Sequence, residues 1–366
     1  MSEGKVLSVT AADVVKEVLA ECRAATLPAL RRAVEDLHPR LARISAYHLG
    51  WCEPDGGPTG VHAGKMLRAA LTVLAARAFG ASTKTAVPGA VATELVHNFS
   101  LLHDDLMDAD ELRRGRPTAW VVFGTGPTVL AGDALLSRAL HITTGLKGTP
   151  EHPVGKALTE AVSAIIRGQA ADLGLDGFPV DRVGVDDYLA ACAKTSGLLG
   201  GCVEVGASLA GAPTTGVRTL RTAAWDLGVA WQMADDIESI WGDPAASGKP
   251  AFGDLRRNKR TYPVIAALRS GTAASSRLAA RLDSTEVRGE GELAELARLV
   301  EEAGGRAEAE RAALQHLDRA LHLLGEAGGD SVAVDDLAAL FRHVLDRHGK
   351  RTAAAPTGPA TRGAAR

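Results

Sequence analysis

Two apolar stretches of helical periodicity each end in adjacent aspartates, and this pattern constrains the fold more than any other feature. The first stretch, AVATELVHNFSLL, leads into Asp104, Asp105 and Asp108. The second, WDLGVAWQM, leads into Asp235 and Asp236 after one further alanine. On a helix, Asp104 and Asp108 share one face. Carboxylates this close repel by about 4 kcal/mol per pair at an effective dielectric constant of 20, so each cluster requires a compensating partner.

Arginines follow the first cluster at once, at Arg113, Arg114 and Arg116. A divalent cation such as Mg²⁺ binds one or two carboxylates and completes its shell with substrate phosphate oxygens. Guanidinium groups are the usual fork for phosphate. The alternative, a solvated and charged helix end, does not readily explain two acidic clusters on two apolar helices. The pattern therefore predicts a metal–diphosphate site.

The composition favours packed helices over a β sandwich. Hydrophobic residues make up 46% of the chain but aromatic residues only 4%, so small and aliphatic side chains carry the apolar content. A formal net charge of −3 gives no indication of a nucleic-acid partner. The sequence shows neither a signal-peptide core nor an apolar run long enough to span a membrane. Four cysteines without CxxC spacing indicate reduced thiols, and we expect a cytoplasmic protein.

The periodicity predicts one all-α domain over residues 11–348, between a disordered N-terminus at 1–10 and a disordered basic tail at 349–366. Helices are expected at 10–34, 38–48, 84–109, 154–173, 186–210 and 217–241, with more amphipathic helices after residue 263.

Polar residues before the first cluster extend the candidate site. Lys65 and Arg68 are expected to open a helix whose free N–H groups would face an anion, although a solvated pair is the alternative. His97 lies two helical turns before Asp104 and is either a buried core residue or part of the site. Phe99 is expected to point into a cavity beneath the acids.

Further polar residues interrupt apolar helices. Lys194 and Thr195 form a polar pair on a helix rich in small residues, which lets a neighbouring helix approach closely. A lysine in such a place requires a counter-charge, which a diphosphate would supply. Gln169 and Asp172 either form an exposed polar pair or bind water molecules that are coordinated to the metal.

A basic, glycine-containing segment follows the second cluster and either closes over a phosphate or forms a mobile surface loop. Its charged residues are Lys249, Arg256, Arg257, Lys259 and Arg260. Gln232 precedes Asp235 by three residues and faces the same side of the helix.

Several segments in this order resemble the trans-isoprenyl diphosphate synthase (polyprenyl synthetase) family, in its geranylgeranyl diphosphate synthase-like form. They are GKMLRA, ELVHNFSLLHDDLMD, RRGRPT, GQAADL, AKTSGL, WQMADD and GKPAFGDLRRNKRTYP. The resemblance covers about residues 64–263. It implies the isoprenoid synthase fold, a single-domain bundle of roughly ten or more helices around a central substrate cavity, and a homodimer.

The resemblance also implies roles for residues at matching positions. Mg²⁺ would be bound by Asp104, Asp105, Asp108, Asp235 and Asp236. The allylic diphosphate would be held by Arg113, Lys194, Lys249 and Lys259. Isopentenyl diphosphate would be held by Lys65, Arg68, His97 and Arg114. Thr195 and Gln232 would line the developing carbocation, and the catalytic set would be Asp104, Asp105, Lys194, Thr195 and Gln232.

The activity implied is a Mg²⁺-dependent, head-to-tail condensation of isopentenyl diphosphate with an allylic diphosphate. Phe99 resembles the bulky floor residue of members that make mid-length products, and Ser100 above it leaves room. The segment DDLMD lacks the two-residue insertion of typical bacterial farnesyl enzymes. Geranylgeranyl diphosphate is therefore the first expectation for the product and farnesyl diphosphate the second.

Three positions depart from the family pattern. Met66 stands where a basic residue is common, Ala69 where proline is usual, and Ser239 where a third aspartate is usual. Eroded motifs also occur in class I terpene cyclases of this fold and in catalytically weak partner subunits of other prenyl synthases. The retained isopentenyl diphosphate residues favour chain elongation, because a cyclase has no use for a second diphosphate site.

Overall fold

The structure, a computed structural model, describes residues 11–59, 64–146, 153–175, 182–244, 251–282 and 288–352. Residues 1–10, residues 353–366 and the candidate Lys249 lie outside this described part. The last helix continues to Thr352, so residues 349–352, which we assigned to the tail, are helical.

The described chain is built almost entirely of helices, which confirms the all-α prediction. The helices are α1 (Ala11–Glu35), α2 (Pro39–His48), α3 (Leu67–Ala78), α4 (Thr83–Met107), α5 (Ala119–Phe123), α6 (Thr125–Thr144), α7 (Val154–Leu175), α8 (Val185–Leu209), α9 (Thr214–Trp241), α10 (Gly253–Arg256), α11 (Tyr262–Arg269), α12 (Ala273–Leu282), α13 (Glu290–Glu302), α14 (Gly305–Glu326) and α15 (Ser331–Thr352).

Two very short strands interrupt the helices directly after the first acidic cluster. Strands β1 (Leu112–Arg113) and β2 (Arg116–Pro117) pair antiparallel. The two residues between them, Arg114 and Gly115, have positive φ angles of 55° and 76°. Two consecutive positive φ angles are typical of a type I′ hairpin turn. The sequence RRGR therefore forms a tight hairpin that presents three arginines from one turn.

The contacts divide the chain into two compact units. The first comprises Met1–Ala170, Ala191–Val229 and His316–His343; the second comprises Ala171–Ala190, Ala230–Gln315 and Val344–Arg366. In the first unit, α4 packs against α1, α3 and α6. Leu71, Leu74, Leu95 and Leu102 are fully buried there. The central position of α4 in this unit gives a rigid base to the acidic cluster at its end.

Glycines set how closely helices approach in the first unit. An added Cβ at Gly168 of α7 would lie 2.1 Å from the backbone nitrogen of Lys194 on α8. An added Cβ at Gly201 of α8 would lie 2.4 Å from the side chain of Ala161 on α7. The predicted close approach to α8 is confirmed, and it places the backbone of Lys194 against α7.

A buried acid links α9 to α14 within the same unit. The Asp226 carboxylate accepts hydrogen bonds from His316 Nδ1 at 2.9 Å and from Arg319 Nε at 2.7 Å. Burial favours the protonated acid, but these two partners hold the pKa of Asp226 below its ordinary value. The ion pair fixes the part of α9 that leads toward the second acidic cluster.

The second unit has an apolar core of its own, in which α11 packs against α12 and α13. The core is formed by Ile240, Leu255, Val264, Ala267, Ala274, Leu278, Leu282, Leu293, Leu296, Ala297, Leu299, Val300 and Ala303. Across both units, no helix in the described part of the chain has the length and hydropathy needed to cross a membrane.

Replacement of Gly206 by alanine is expected to destabilise the protein. Its Cβ would lie 2.1 Å from the carbonyl oxygen of Thr72 on α3, and overpacking of this kind costs about 1–3 kcal/mol. Gly325→Ala, also within a helix but with no atom inside 4 Å of the new Cβ, is the matched control and should gain up to about 1 kcal/mol. Urea denaturation measures both free energies of unfolding, and equal effects of the two substitutions would contradict the packing.

Candidate metal and diphosphate site

The end of α4 divides the first acidic cluster into two kinds of carboxylate. Asp104 and Asp108 are partly exposed, whereas Asp105 is only 1% exposed. The last turn is regular, since the Asp108 N–H donates to the Asp104 carbonyl at 2.9 Å. The helix therefore offers two carboxylates on one face and turns the third inward.

Asp105 forms a buried ion pair with the hairpin. Arg113 donates from Nε to Asp105 Oδ1 at 2.7 Å, and its Nη2 lies 2.6 Å from the same oxygen. The other oxygen, Oδ2, is buried and has no hydrogen-bond partner among the described residues. Burial raises the pKa of Asp105, and the Arg113 contacts offset only part of this rise. Asp105 thus holds Arg113 in place and keeps one oxygen available, although not at the surface.

The other two hairpin arginines have different surroundings. Arg116 donates to the carbonyl of Cys52 at 3.0 Å and to Glu53 Oε2 at 3.1 Å. Arg114 is exposed and forms no ion pair with any residue that the structure describes. Its guanidinium lies against Gly64, where an added Cβ would be 3.2 Å from Nη1. The absence of a side chain at Gly64 leaves Arg114 room beside the GKMLR segment.

The GKMLR segment differs from the prediction at its helix start. We expected Lys65 to open the helix, but α3 begins at Leu67, and Lys65 is exposed before it. One N–H group expected to face an anion, that of Ala69, donates instead to Glu94 Oε1 at 3.0 Å. A proline, usual at this position in the family, has no N–H to donate. The additional N–H group that alanine brings at position 69 is therefore satisfied by the buried Glu94 carboxylate on α4.

His97 lies among positive charges rather than in an ordinary apolar core. Burial, together with the charges of Arg68, Arg114 and Arg113, lowers its pKa well below the ordinary value. Of the two interpretations of this residue, the environment favours the site. His48, at the end of α2, is in the same region: burial, Arg113 and Arg114 lower its pKa to about 3. Sequence reasoning missed His48 because it lies in none of the motifs.

Phe99 is fixed by its neighbours on α4 and α6. Its ring meets that of His103 edge to face, with centroids 4.9 Å apart. His103 Nε2 lies 3.1 Å from the carbonyl oxygen of Val129 on α6. Ser100 donates its hydroxyl to the His97 carbonyl at 2.8 Å. The Phe99 ring thus has a defined position about one and a half helical turns before Asp104, and the cavity beneath it stays a prediction.

Lys194 on α8 contacts α7 through a polar side chain. Its Nζ lies 3.4 Å from Gln169 Oε1. Gln169 is buried, so it is not half of an exposed polar pair. Thr195, the next residue, is partly exposed.

The second acidic cluster, in the second unit, also pairs an inward with an outward carboxylate. Asp235 is partly exposed, whereas Asp236 is 3% exposed. Asp236 Oδ1 accepts from Gln232 Nε2 at 3.1 Å. Its Oδ2 accepts from the Tyr188 hydroxyl at 2.7 Å and from the Tyr262 N–H at 3.2 Å. Burial and the nearby Asp254 raise the pKa of Asp236. Both oxygens of this predicted metal ligand therefore already have protein partners.

Asp254 is an acid of this cluster that sequence reasoning missed. Its N–H donates to Ser239 Oγ at 3.1 Å, and its side chain is buried. Burial raises the pKa of Asp254, while Arg257 and Ser239 act in the opposite direction. Ser239, which replaces the usual third aspartate, thus lies beside another carboxylate. The sequence signal that could have identified Asp254 is its position as the only acidic residue in GKPAFGDLRRNKRTYP. From the sequence, we assigned it no role.

The described part of the basic segment begins at residue 251 and is partly helical. It contains α10, and its side chains have protein partners. Lys259 Nζ lies 3.6 Å from Asp172 Oδ2, so Asp172 is paired as well. Arg257 pairs with Asp254 at 3.3 Å, and Arg260 donates to the carbonyl of Asn258 at 2.9 Å.

The donor set fits Mg²⁺ only together with a substrate. Among the residues that the structure describes, no three acidic, histidine or cysteine side chains lie close enough to hold a metal by themselves. Mg²⁺ does not require this, because it usually binds one or two carboxylates together with waters and phosphate oxygens. The two partly exposed acids at the end of α4, Asp104 and Asp108, meet that requirement.

Comparison with known proteins agrees with this geometry. The family model described as Polyprenyl synthetase matches residues 59–300. A (2E,6E)-farnesyl diphosphate synthase of Mycobacterium tuberculosis is 40% identical over 324 residues, 87% of this chain and 90% of that protein. A geranylgeranyl diphosphate synthase of the same species is 41% identical over 340 residues, 92% of this chain and 95% of that protein.

Similarity extends to solved structures. The crystal structure of a polyprenyl synthetase from Streptomyces coelicolor superposes with a TM-score of 0.85 at 40% identity, covering 90% of this chain and 99% of that one. The family model spans well over half of this chain, and the curated relatives cover most of it at high identity. The chain therefore belongs to the polyprenyl synthetase family.

Proposed function

We propose that this prenyltransferase joins isopentenyl diphosphate head-to-tail to an allylic diphosphate and releases a mid-length polyprenyl diphosphate. The observation that carries the proposal is the pocket that the hairpin arginines Arg113, Arg114 and Arg116 line together. A pocket of this charge suits the diphosphate of the non-allylic substrate. Terpene cyclisation does not require that substrate, so the pocket favours elongation over the cyclase alternative.

We assign the metal to the outward carboxylates of the two clusters. Asp104 and Asp108 would hold Mg²⁺ from α4, and Asp235 would do so from α9. Asp105 and Asp236, predicted as further ligands, would act through their neighbours, because both are buried. When bound, Mg²⁺ would neutralise the charge that develops on the leaving diphosphate.

The remaining residues of the allylic side hold and orient the substrate. Arg113 and Lys194, with Lys259 and Lys249, would bind the allylic diphosphate, and breaking of its C–O bond leaves an allylic cation. Thr195 and the amide oxygen of Gln232 would lie along that cation; the Gln232 amide nitrogen already donates to Asp236. No protein nucleophile is needed, since positioning and electrostatics supply the catalysis.

The isopentenyl side supplies the attacking double bond. Lys65, Arg68, His97 and Arg114 would hold its diphosphate so that the double bond adds to the allylic cation. A C–C bond forms, and a proton then leaves from the adjacent carbon. We propose that the diphosphate released from the allylic substrate is the base that accepts this proton. The product is an allylic diphosphate longer by one isoprene unit.

Chain length depends on the end of the cavity below the first cluster. Phe99, held by His103, is the residue that we propose closes it, with Ser100 on the same helix. The similar proteins carry names that include farnesyl, geranylgeranyl and geranylfarnesyl diphosphate synthase. We propose geranylgeranyl diphosphate as the product, ahead of farnesyl diphosphate.

We further propose a cytoplasmic homodimer. Three apolar side chains of the first unit are exposed on α6 and α7: Val129, Leu130 and Ile166. Such residues, each more than a third exposed, are suited to burial against a second copy. None of the four cysteines forms a disulfide, which fits a reducing compartment.

The function is tested by product analysis with labelled isopentenyl diphosphate and dimethylallyl, geranyl or farnesyl diphosphate in turn, with Mg²⁺. We expect labelled geranylgeranyl diphosphate from at least one primer and none after chelation of the metal. Release of a hydrocarbon from geranylgeranyl diphosphate alone would identify a cyclase. Failure of the purified protein to turn over any primer would identify a partner subunit.

Asp104→Asn and Asp235→Asn should each lower kcat/KM by about 10²–10³-fold. Each removes a metal carboxylate, and metal neutralisation of the leaving group supplies several kcal/mol. Asp318→Asn, at an exposed position on α14, is the matched control and should leave the rate unchanged. Steady-state kinetics across Mg²⁺ concentrations check the prediction. A decrease in kcat/KM in Asp104→Asn but not in Asp235→Asn would contradict the metal-binding role of Asp235.

Phe99→Ala should lengthen the product by at least one isoprene unit, because it removes the ring at the proposed end of the cavity. Chromatography of the dephosphorylated products measures the change. Leu102→Ala, nearby on α4 and fully buried, is the control: it should cost about 2–5 kcal/mol of stability without lengthening the product. Unchanged length in Phe99→Ala would rule out this assignment.

A further inference from the structure

We infer that His48, at the end of α2, is an additional binding residue for isopentenyl diphosphate and contacts its terminal phosphate together with Arg114. The inference rests on the proposed function and adds a residue to that site. None of the family-like segments contains His48, and it comes from a different helix than His97. Its role follows from where α2 ends.

The backbone at the end of α2 is held rigidly. Gly50 has a φ angle of 72°, and its N–H donates to the Tyr47 carbonyl at 2.9 Å. The Trp51 N–H donates to the Ala46 carbonyl at 2.8 Å. Together, these two hydrogen bonds form a Schellman motif at the C-terminus of α2. The Arg31 guanidinium lies 4.6 Å from the centroid of the Trp51 ring. His48 is thus presented from a fixed position.

His48 shares a pocket with the hairpin arginines. The pocket is lined by Tyr47, His48, Gly50, Arg113, Arg114, Arg116, Pro117, Thr118 and Ala119. Tyr47 closes one wall, because its hydroxyl donates to the Pro117 carbonyl at 2.7 Å. The Arg116 guanidinium lies 4.4 Å from the centre of the Tyr47 ring. The pocket wall is therefore built from α2 and from the hairpin.

The positive charges around this pocket are unequally compensated. Arg116 pairs with Glu53, and Arg113 pairs with Asp105. Arg114 alone of the three forms no ion pair within the described chain, and the Glu94 and Asp105 carboxylates act on it only at longer range. Of the three pocket arginines, Arg114 is therefore the one that an anion could pair with without displacing a protein carboxylate.

The same charges join His48 to the proposed substrate site. The positive charges of Arg113 and Arg114 act on both His48 and His97, and a charged His48 would in turn disfavour charge on His97. These charges and burial hold His48 neutral, so it offers an N–H donor without repelling the arginines. A neutral donor beside an open guanidinium is suited to a phosphate oxygen.

A purely structural histidine is the competing explanation. It would fill space at the end of α2, and its loss would lower stability and weaken both substrates together. A binding role predicts a different result, in which only the non-allylic substrate is affected. The two explanations are therefore separable by comparing the two KM values.

His48→Ala should raise the KM for isopentenyl diphosphate about tenfold, the loss expected for one hydrogen bond to a charged group. The KM for the allylic primer should stay within about twofold of the wild type. His48→Gln, which keeps a neutral N–H donor, should recover much of the affinity. His141→Ala on α6, an exposed histidine, is the matched control and should change neither KM.

Isothermal titration of isopentenyl diphosphate in the absence of metal measures binding without turnover. The inference predicts weaker binding in His48→Ala at an unchanged melting temperature. Equal affinity in the wild type and in His48→Ala would overturn it, as would a joint rise of both KM values with a lowered melting temperature. Wild-type protein that makes no product from isopentenyl diphosphate would refute the proposed function instead, and the titration would still decide the role of His48.

Discussion

Two adjacent aspartates cannot both stay charged and unpartnered, and the candidate site depends on how the protein resolves this repulsion. In each cluster one carboxylate is buried against protein donors and its neighbour is left partly exposed. Asp105 is paired with Arg113, and Asp236 is held by Gln232, Tyr188 and the Tyr262 amide. The buried member anchors the local structure, and the outward member, Asp104 or Asp235, is the one that we assign to a cation because it is partly exposed. Removal of one partner from a buried pair typically costs about 3–5 kcal/mol.

The anchors also place the groups around them. Because Asp105 holds Arg113, the hairpin that follows α4 cannot swing away from the acidic end of the helix. The positive φ angles at Arg114 and Gly115 form the tight turn that carries Arg114. Gly64 leaves space for this guanidinium beside α3. One ion pair thus sets the position of the hairpin whose arginines we assign to two different diphosphates.

The helices and the two acidic clusters could be predicted because their 3.6-residue periodicity is long and interrupted by clear loops. The close packing on α8 could also be predicted, from its small residues. The difference between the buried Asp105 and the partly exposed Asp104 could not be predicted. It depends on the contact of Asp105 with Arg113, in a hairpin whose turn has two positive φ angles. Glu94 and His48 were missed for a similar reason: their partners lie in other segments, and neither has a recognisable spacing. Asp254 was present in a family-like segment, but only its packing against Ser239 shows that it belongs to the cluster.

Our main proposal is that the outward carboxylates, Asp104 of the first cluster and Asp235 of the second, each bind a cation together with a substrate diphosphate. It is tested most directly by counting bound Mn²⁺, as a paramagnetic substitute for Mg²⁺, with a non-hydrolysable allylic thiolodiphosphate in the wild type, Asp104→Asn and Asp235→Asn. The account predicts that metal binding in the wild type depends on the analogue and that each substitution weakens the binding of both metal and analogue. Wild-type affinity for both in Asp235→Asn, or metal binding to the clusters independently of the analogue, would contradict it.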